Sequence, residues 1–180
     1  MSTAVLAINC QNENLFGDYC VANAAEMLYR IQSICEKARA VSVPIVYLQD
    51  NTLGSAEAPD RQIALLLTPQ PGDVVVRKSF PDGFYQTELK ERLDELGITE
   101  LVVVGFKTDE DVATTCRAAV IAGYDVFLVS DAHSTRENSF MLPHQLIQYY
   151  NYILDEFGLE DSFGNGEHWL EVTTSDELSF

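Results

Sequence analysis

The sequence predicts an α/β protein with three layers, in which helices cover both faces of a six-stranded, doubly wound parallel sheet. Short apolar segments rich in β-branched residues alternate along the chain with segments of helical periodicity. The strand segments are apolar almost throughout, which is typical of strands buried on both faces. No linker, repeat or low-complexity segment interrupts the 180 residues. Residues 1–180 are therefore predicted to form a single domain.

The first half of the chain supplies three strands and one helix. Residues 4–8 form a wholly apolar run that begins the sheet. Apolar residues then recur at helical spacing over 21–38, and Pro44 ends that segment before a second strand at 45–50. A turn cluster of proline and glycine precedes a third strand at 74–80.

The second half repeats this alternation. Leucines at helical spacing predict a helix over 89–96, and the valines of 102–104 form a fourth strand. An apolar stripe over 112–120 predicts the next helix. The remaining predicted elements are a fifth strand at 125–130, a long helix at 139–157 and a sixth strand at 169–174.

Composition limits the classes of partner. The chain has 28 acidic and 11 basic residues and a formal net charge of −17. Such a chain repels phosphate backbones and anionic lipids, so neither nucleic acid nor a membrane is a predicted partner. The four cysteines lack metal-site spacing and lie in apolar stretches, which favours reduced thiols and a cytoplasmic location.

The junction after the fourth strand is the predicted centre of the site. A β-branched run ends at Gly105, and a helix begins a few residues later. Ligands of open parallel sheets bind at such strand ends, where a helix N-terminus offers free N–H groups and partial positive charge. Thr108 and Asp111 have the spacing of a capping box. Helix capping is therefore one interpretation of Asp111, and a role in a functional site is the other.

A longer signature surrounds this junction. It reads Gly-Phe-Lys-Thr-x-x-Asp-Val at 105–112, Thr-x-Arg-Ala-Ala at 115–119 and Gly-Tyr-Asp-Val at 123–126. The pattern resembles the isochorismatase-like superfamily of cysteine hydrolases, in which a nucleophilic cysteine occupies the position of Asp111. The resemblance extends from residue 4 to residue 178 and implies the strand order 3-2-1-4-5-6.

The same resemblance implies a catalytic triad in which two of the three positions have changed. The first strand of the family ends in Asp-x-Gln-Asn, with the aspartate as acid/base, and here that position is Asn9. The family lysine corresponds to Lys78, although a lysine at a strand end can also simply reach solvent. The implied catalytic residues are thus Asn9, Lys78 and Asp111, which we expect to converge at the carboxyl edge of the sheet. An amide cannot exchange a proton, so Asp111 would be the acid/base and Lys78 its electrostatic partner.

The resemblance also indicates how a substrate would be held. Loops 51–62 and 132–140 are expected to line or cover the pocket, and a non-proline cis peptide is expected between Phe106 and Lys107. The predicted substrate-binding residues are Gln11, Phe84, Phe106, Lys107 and Thr108. Amidase members often bind a metal through Asp-x-His after the second strand. This chain has Asp-Asn-Thr at 50–52, so neither a metal nor a cofactor is predicted.

Two functions stay open at this point. One is an isochorismatase-like hydrolase of a small metabolite with a rearranged site, and the other is an inactive relative that binds a small molecule or serves as an oligomeric partner. Cys10 and Cys116 are expected to point into packing, which argues against a cysteine-dependent amidase. The apolar surface of the 139–157 helix predicts a homodimer or larger homo-oligomer. The histidines are interpreted as structural or surface residues: His133, His144 and His168.

Overall fold

A six-stranded parallel sheet forms the centre of the computed structural model, which describes residues 2–18, 20–51, 58–155, 157–158 and 168–180. The strands are β1 (Thr3–Ile8), β2 (Ile45–Asp50), β3 (Val74–Lys78), β4 (Glu100–Phe106), β5 (Asp125–Ser134) and β6 (Leu170–Thr173). They are ordered β3-β2-β1-β4-β5-β6, which confirms the predicted fold class and strand order.

Helices cover both faces of this sheet. The α-helices are α1 (Asn12–Leu15), α2 (Ala24–Ala40), α3 (Leu89–Glu95), α4 (Ala113–Ile121) and α5 (Pro143–Leu154). A 3₁₀ turn spans Leu65–Leu67, and a single π-helical turn spans Thr108–Val112. One apolar core lies between the sheet and α3, α4 and α5, and the other lies between the sheet and α2. Successive residues of β1 alternate between these two cores, as expected for a strand buried on both faces.

Two elements differ most in length from the prediction. Strand β5 continues to Ser134, with a shift in its pairing to β4 between Val103 and Gly105. Helix α5 begins at Pro143 rather than at residue 139, because a residue that precedes proline is biased towards extended backbone and Leu142 has a ψ of 155°. The helix ends at Leu154, and Phe157 instead forms an isolated bridge with Leu170 of β6.

Strands β1 and β4 approach each other closely at Gly105, just before the predicted site. Gly105 has a φ of +122°, a conformation that favours glycine. A Cβ atom at this position would lie 2.1 Å from the carbonyl oxygen of Ile8. Glycine is therefore required here by both the backbone conformation and the contact with β1.

Candidate functional site

The predicted catalytic residues converge at the carboxyl edge of the sheet. Asn9 follows β1, Lys78 ends β3, and Asp111 lies in the π-helical turn after β4. The Lys78 ammonium contacts a carboxylate oxygen of Asp111, and the side chain of Asn9 is hydrogen-bonded to the same carboxylate. Parallel strands bring their carboxyl ends to one edge, which explains how residues so distant in sequence meet.

The side chain of Lys78 is fully buried. Its Nζ donates to the carbonyl oxygen of Phe80 at 3.0 Å and pairs with Asp111. A carboxylate oxygen of Asp50, the last residue of β2, lies 3.8 Å from the same ammonium. The interpretation that Lys78 merely reaches solvent is therefore wrong, because the ammonium is held between two carboxylates.

The carboxyl group of Asp111 is also buried. Burial raises its pKa above the ordinary aspartate value, whereas the charge and hydrogen bond of Lys78 and the hydrogen bond from Asn9 act to lower it. The net effect is a raised pKa, because loss of hydration disfavours the carboxylate even when a cation is nearby. The site thus contains a carboxyl group that holds its proton to a higher pH than an exposed aspartate.

The capping-box interpretation of Thr108 and Asp111 is wrong. The hydroxyl of Thr108 lies 2.8 Å from Nδ1 of His133, and no side chain caps the turn. His133 Nε2 faces the side-chain oxygen Oδ1 of Asn151 at 2.8 Å, so Nε2 carries the proton and Nδ1 accepts from Thr108. The turn closes through a bond from the Val112 N–H to the carbonyl oxygen of Lys107 at 3.1 Å, and the carboxylate of Asp111 faces Lys78 instead of the backbone.

A cavity of about 520 Å³ opens beside these residues. Asn9 and Asp111 form part of its wall, and Lys107 borders it from the end of β4. Both loops predicted to line the pocket contribute, through Asp60 and Arg136. The part of the first loop at 52–57 lies outside the described residues. Asn9 and Asp111 therefore face a space that a small molecule can enter, while the Lys78 ammonium lies behind them.

Among the predicted substrate-binding side chains, Lys107 is the one that the structure places on the cavity wall. Its ammonium pairs with Glu110 at 2.5 Å. The peptide bond between Phe106 and Lys107 is cis, as the resemblance implied.

The structure does not bring the other four predicted contacts to this wall. The amide nitrogen of Gln11 donates to the carbonyl oxygens of Asp50 and Arg61 at 2.9 and 2.7 Å, and its oxygen accepts from the Asp50 N–H at 2.8 Å. Gln11 therefore joins the end of β2 to the loop at Arg61 through its whole amide. Phe84 stacks on the ring of Tyr124. The side chains of Phe106 and Thr108 are fully buried.

Cys10 and Cys116 point into packing, as predicted. Both are buried, and burial raises the pKa of each thiol, for Cys116 to about 12. A high pKa keeps a thiol protonated and unreactive at neutral pH. Neither cysteine can take the place of a thiolate nucleophile next to Asn9 and Lys78.

Several charged residues of the site escaped the sequence analysis. Asp50 could have been found, because it ends a strand at the same edge as Lys78. Glu13 and Asp60 come from a short helix and a loop, and no pattern in the sequence marks them. The described residues include no group of three or more histidine, cysteine, aspartate or glutamate side chains arranged to hold a metal ion. In the same described part of the chain, no helix has the length and apolar character needed to cross a membrane.

Comparison with known proteins agrees with this architecture. The isochorismatase domain family matches residues 3–146. A streptothricin hydrolase from Streptomyces noursei is 37% identical over 136 residues, covering 73% of this chain and 49% of that protein. The chain thus spans about half the length of the streptothricin hydrolases that it matches.

Two further relatives cover more of their own length. The secreted isochorismatase effector Isc1 of Verticillium dahliae is 31% identical over 140 residues, or 75% of this chain and 74% of that protein. The crystal structure of an isochorismatase from Pseudomonas putida KT2440 has a TM-score of 0.85 and 28% identity, over 98% of this chain and 90% of that one. With its sheet order, its site geometry and these matches together, the chain belongs to the isochorismatase-like family of hydrolases.

Proposed function

We propose that this protein hydrolyses a small metabolite without a cysteine nucleophile, using Asp111 as the general acid/base. One observation carries the proposal: the carboxyl group of Asp111 borders the cavity, and burial raises its pKa despite the contact with Lys78. A general acid works best when its pKa lies near the operating pH. Burial moves this carboxyl group in that direction.

The neighbouring side chains have complementary roles in this mechanism. When Asp111 donates its proton, the ammonium of Lys78 stabilises the carboxylate that is left. Asn9 orients that carboxylate by a hydrogen bond and can position the substrate or a water molecule with its carbonyl oxygen. The backbone of the Phe106–Lys107 turn would donate N–H groups to a developing oxyanion. Hydrolysis of a group that is cleaved after protonation, such as a vinyl ether, needs an acid and water rather than a thiolate.

A second candidate is a family member that binds a small molecule without transforming it. It is favoured by the two changed positions, Asn9 and Asp111, which leave Lys78 as the family residue still present. In this case the buried pair of Lys78 and Asp111 would maintain the shape of the cavity. The homo-oligomer and the cytoplasmic location remain predictions under either function.

A hydrolysis screen with matched variants separates the two candidates. We would assay the wild-type protein, Asp111→Asn and the control Asp176→Asn, an exposed site outside the cavity, against vinyl ethers, esters and amides. Loss of a general acid lowers kcat by about 10²–10⁴-fold, so Asp111→Asn should lose activity while Asp176→Asn keeps it. The wild-type rate should fall as the pH rises through the raised pKa of Asp111.

The outcomes are distinct. Activity that persists in Asp111→Asn would remove Asp111 as the acid. A wild-type protein that binds small molecules but hydrolyses none of them would favour the binding function.

A further inference from the structure

A second cavity continues the one beside Asp111. It measures about 570 Å³ and shares four wall residues with the first, namely Asp18, Lys107, Glu110 and Arg136. Together the two cavities form one opening at the carboxyl edge of the sheet, which we call the cleft. A ligand in the cleft can therefore extend beyond the group that would react at Asp111.

The charge of the cleft is strongly one-sided. Among the described residues, eight carboxylate side chains border it, among them Glu13, Asp18 and Asp60, against the basic side chains of Lys107 and Arg136. Two more basic groups behind the wall, Lys78 and Arg61, each pair with wall carboxylates, and they do not reverse the excess. The chain as a whole carries a net charge of −17. The potential in the cleft therefore attracts cations and repels anions.

An independent feature of the wall requires a hydrogen-bond donor. Asn9 is 3% exposed, and its side-chain oxygen has no hydrogen-bond partner among the described residues. The amide nitrogen of this side chain donates to Asp111, so the oxygen is the atom without a partner. A buried carbonyl oxygen without a donor costs free energy, and it can accept from a ligand N–H but cannot donate to a ligand carboxylate.

We infer that the cleft binds a small molecule that carries at least one ammonium group, which donates to the side-chain oxygen of Asn9 and lies among the wall carboxylates. This inference rests on the proposed function and names its substrate class. The aromatic ring of Phe16 borders the same cavity and offers a face on which a cation can stack. A dicarboxylate metabolite would meet the same wall with like charge and would leave Asn9 without a donor.

Equilibrium binding tests the inference without requiring turnover. We would titrate the wild-type chain with spermidine, 1,5-diaminopentane and glutarate by calorimetry, at low and at high salt. The two amines should bind at one site and weaken as salt rises, and glutarate should not bind. Asp60→Asn and Asp18→Asn should each weaken amine binding by about threefold to tenfold, because each removes one wall charge. Asp176→Asn removes the same charge elsewhere and should leave the affinity unchanged.

Three results would overturn the inference. The first is that neither amine binds. The second is tighter binding of glutarate than of either amine. The third is amine binding that Asp176→Asn weakens as much as Asp60→Asn and Asp18→Asn do, which would mean a general attraction to an acidic protein. The proposed function fails separately: amine binding by a chain that hydrolyses nothing would leave the inference standing. Hydrolysis of anionic substrates without amine binding would support the proposed function and overturn the inference.

Discussion

Replacement of Lys78 by methionine probes the buried ion pair directly. Methionine keeps an unbranched apolar side chain but removes the ammonium. The side chain of Lys78 is 0% exposed and that of Asp111 is 7% exposed, so the variant leaves a carboxylate in the interior without its cation. Breaking a buried pair in this way costs about 3–5 kcal/mol. At an unfolding entropy of about 2.1 cal/mol/K per residue, this loss lowers the Tm of a 180-residue chain by about 8–13 °C.

The loss of Tm in Lys78→Met should depend on pH, and the paired cation matters more as the pH rises. Lys78 is the strongest influence that lowers the pKa of Asp111, so its removal lets that pKa rise further. A carboxyl group whose pKa is higher in the folded than in the unfolded state binds more protons when folded, and stability therefore falls as the pH rises through that interval. The difference in Tm between Lys78→Met and wild type should be smaller at pH 5 than at pH 8.

His133 contributes a pH dependence of the opposite sign. Burial lowers the pKa of His133 to about 4, so stability is lost as the pH falls from the ordinary histidine value towards that pKa. This contribution is common to both proteins and cancels when the variant is compared with wild type at each pH.

Thermal unfolding followed by circular dichroism is a sufficient assay, and Lys90→Met is the matched control. Lys90 also pairs with one aspartate, Asp94, at 3.1 Å, but both side chains are more than half exposed. Its replacement should change stability by no more than about 0.5 kcal/mol. A Tm of Lys78→Met within about 2 °C of wild type at pH 8 would refute the reasoning, as would a deficit equal at pH 5 and pH 8.

Three further predictions address the backbone, the thiols and the assembly. Gly105→Ala should lose about 3 kcal/mol or more in urea unfolding, because its Cβ would meet Ile8, whereas Gly72→Ala has free space and should lose about 1–2 kcal/mol for its positive φ. Iodoacetamide at neutral pH should modify the buried thiols of Cys10, Cys35 and Cys116 only after unfolding. Mass spectrometry that finds these thiols labelled in the folded protein would contradict this prediction. The wild-type chain should sediment as a homo-oligomer at micromolar concentration through the exposed apolar side chains of α5, and Tyr152→Glu should dissociate it whereas Ile121→Glu on α4 should not. A wild-type monomer would remove this interface.

The fold and the centre of the site could be predicted from the sequence because both depend on strand ends. Apolar runs locate the strands, and the residue after each run lies at the carboxyl edge whatever the rest of the chain does. The resemblance identified Asn9 and Lys78, and their positions at strand ends predicted that they would meet at one edge. It identified Asp111 as well, since the signature after β4 fixes its place relative to Gly105.

The details of the turn after β4 could not be predicted, because spacing does not reveal which partner a side chain selects. Thr108 and Asp111 fit a capping box equally well in a sequence, but His133 and Lys78 compete for them in the folded chain. The predicted contact of Gln11 with substrate could not be judged from the sequence for a similar reason. Its neighbourhood in sequence suggests the cavity, whereas backbone groups at the end of β2 and in the loop at Arg61 bind its amide.

Lys78 lies at the end of an outer strand, so its part of the site opens more readily than the parts that β1 and β4 hold. β1 and β4 each have a neighbour on both sides, whereas β3 lies at the edge of the sheet beside β2. Edge strands open at a lower free energy than central ones, so amide hydrogen exchange in β3 should outpace exchange in β1 and β4. Each such opening separates the ammonium from Asp111 while the central strands stay paired. The fraction of molecules with a complete site is therefore set by the fraying of one edge strand, and it declines before the protein unfolds.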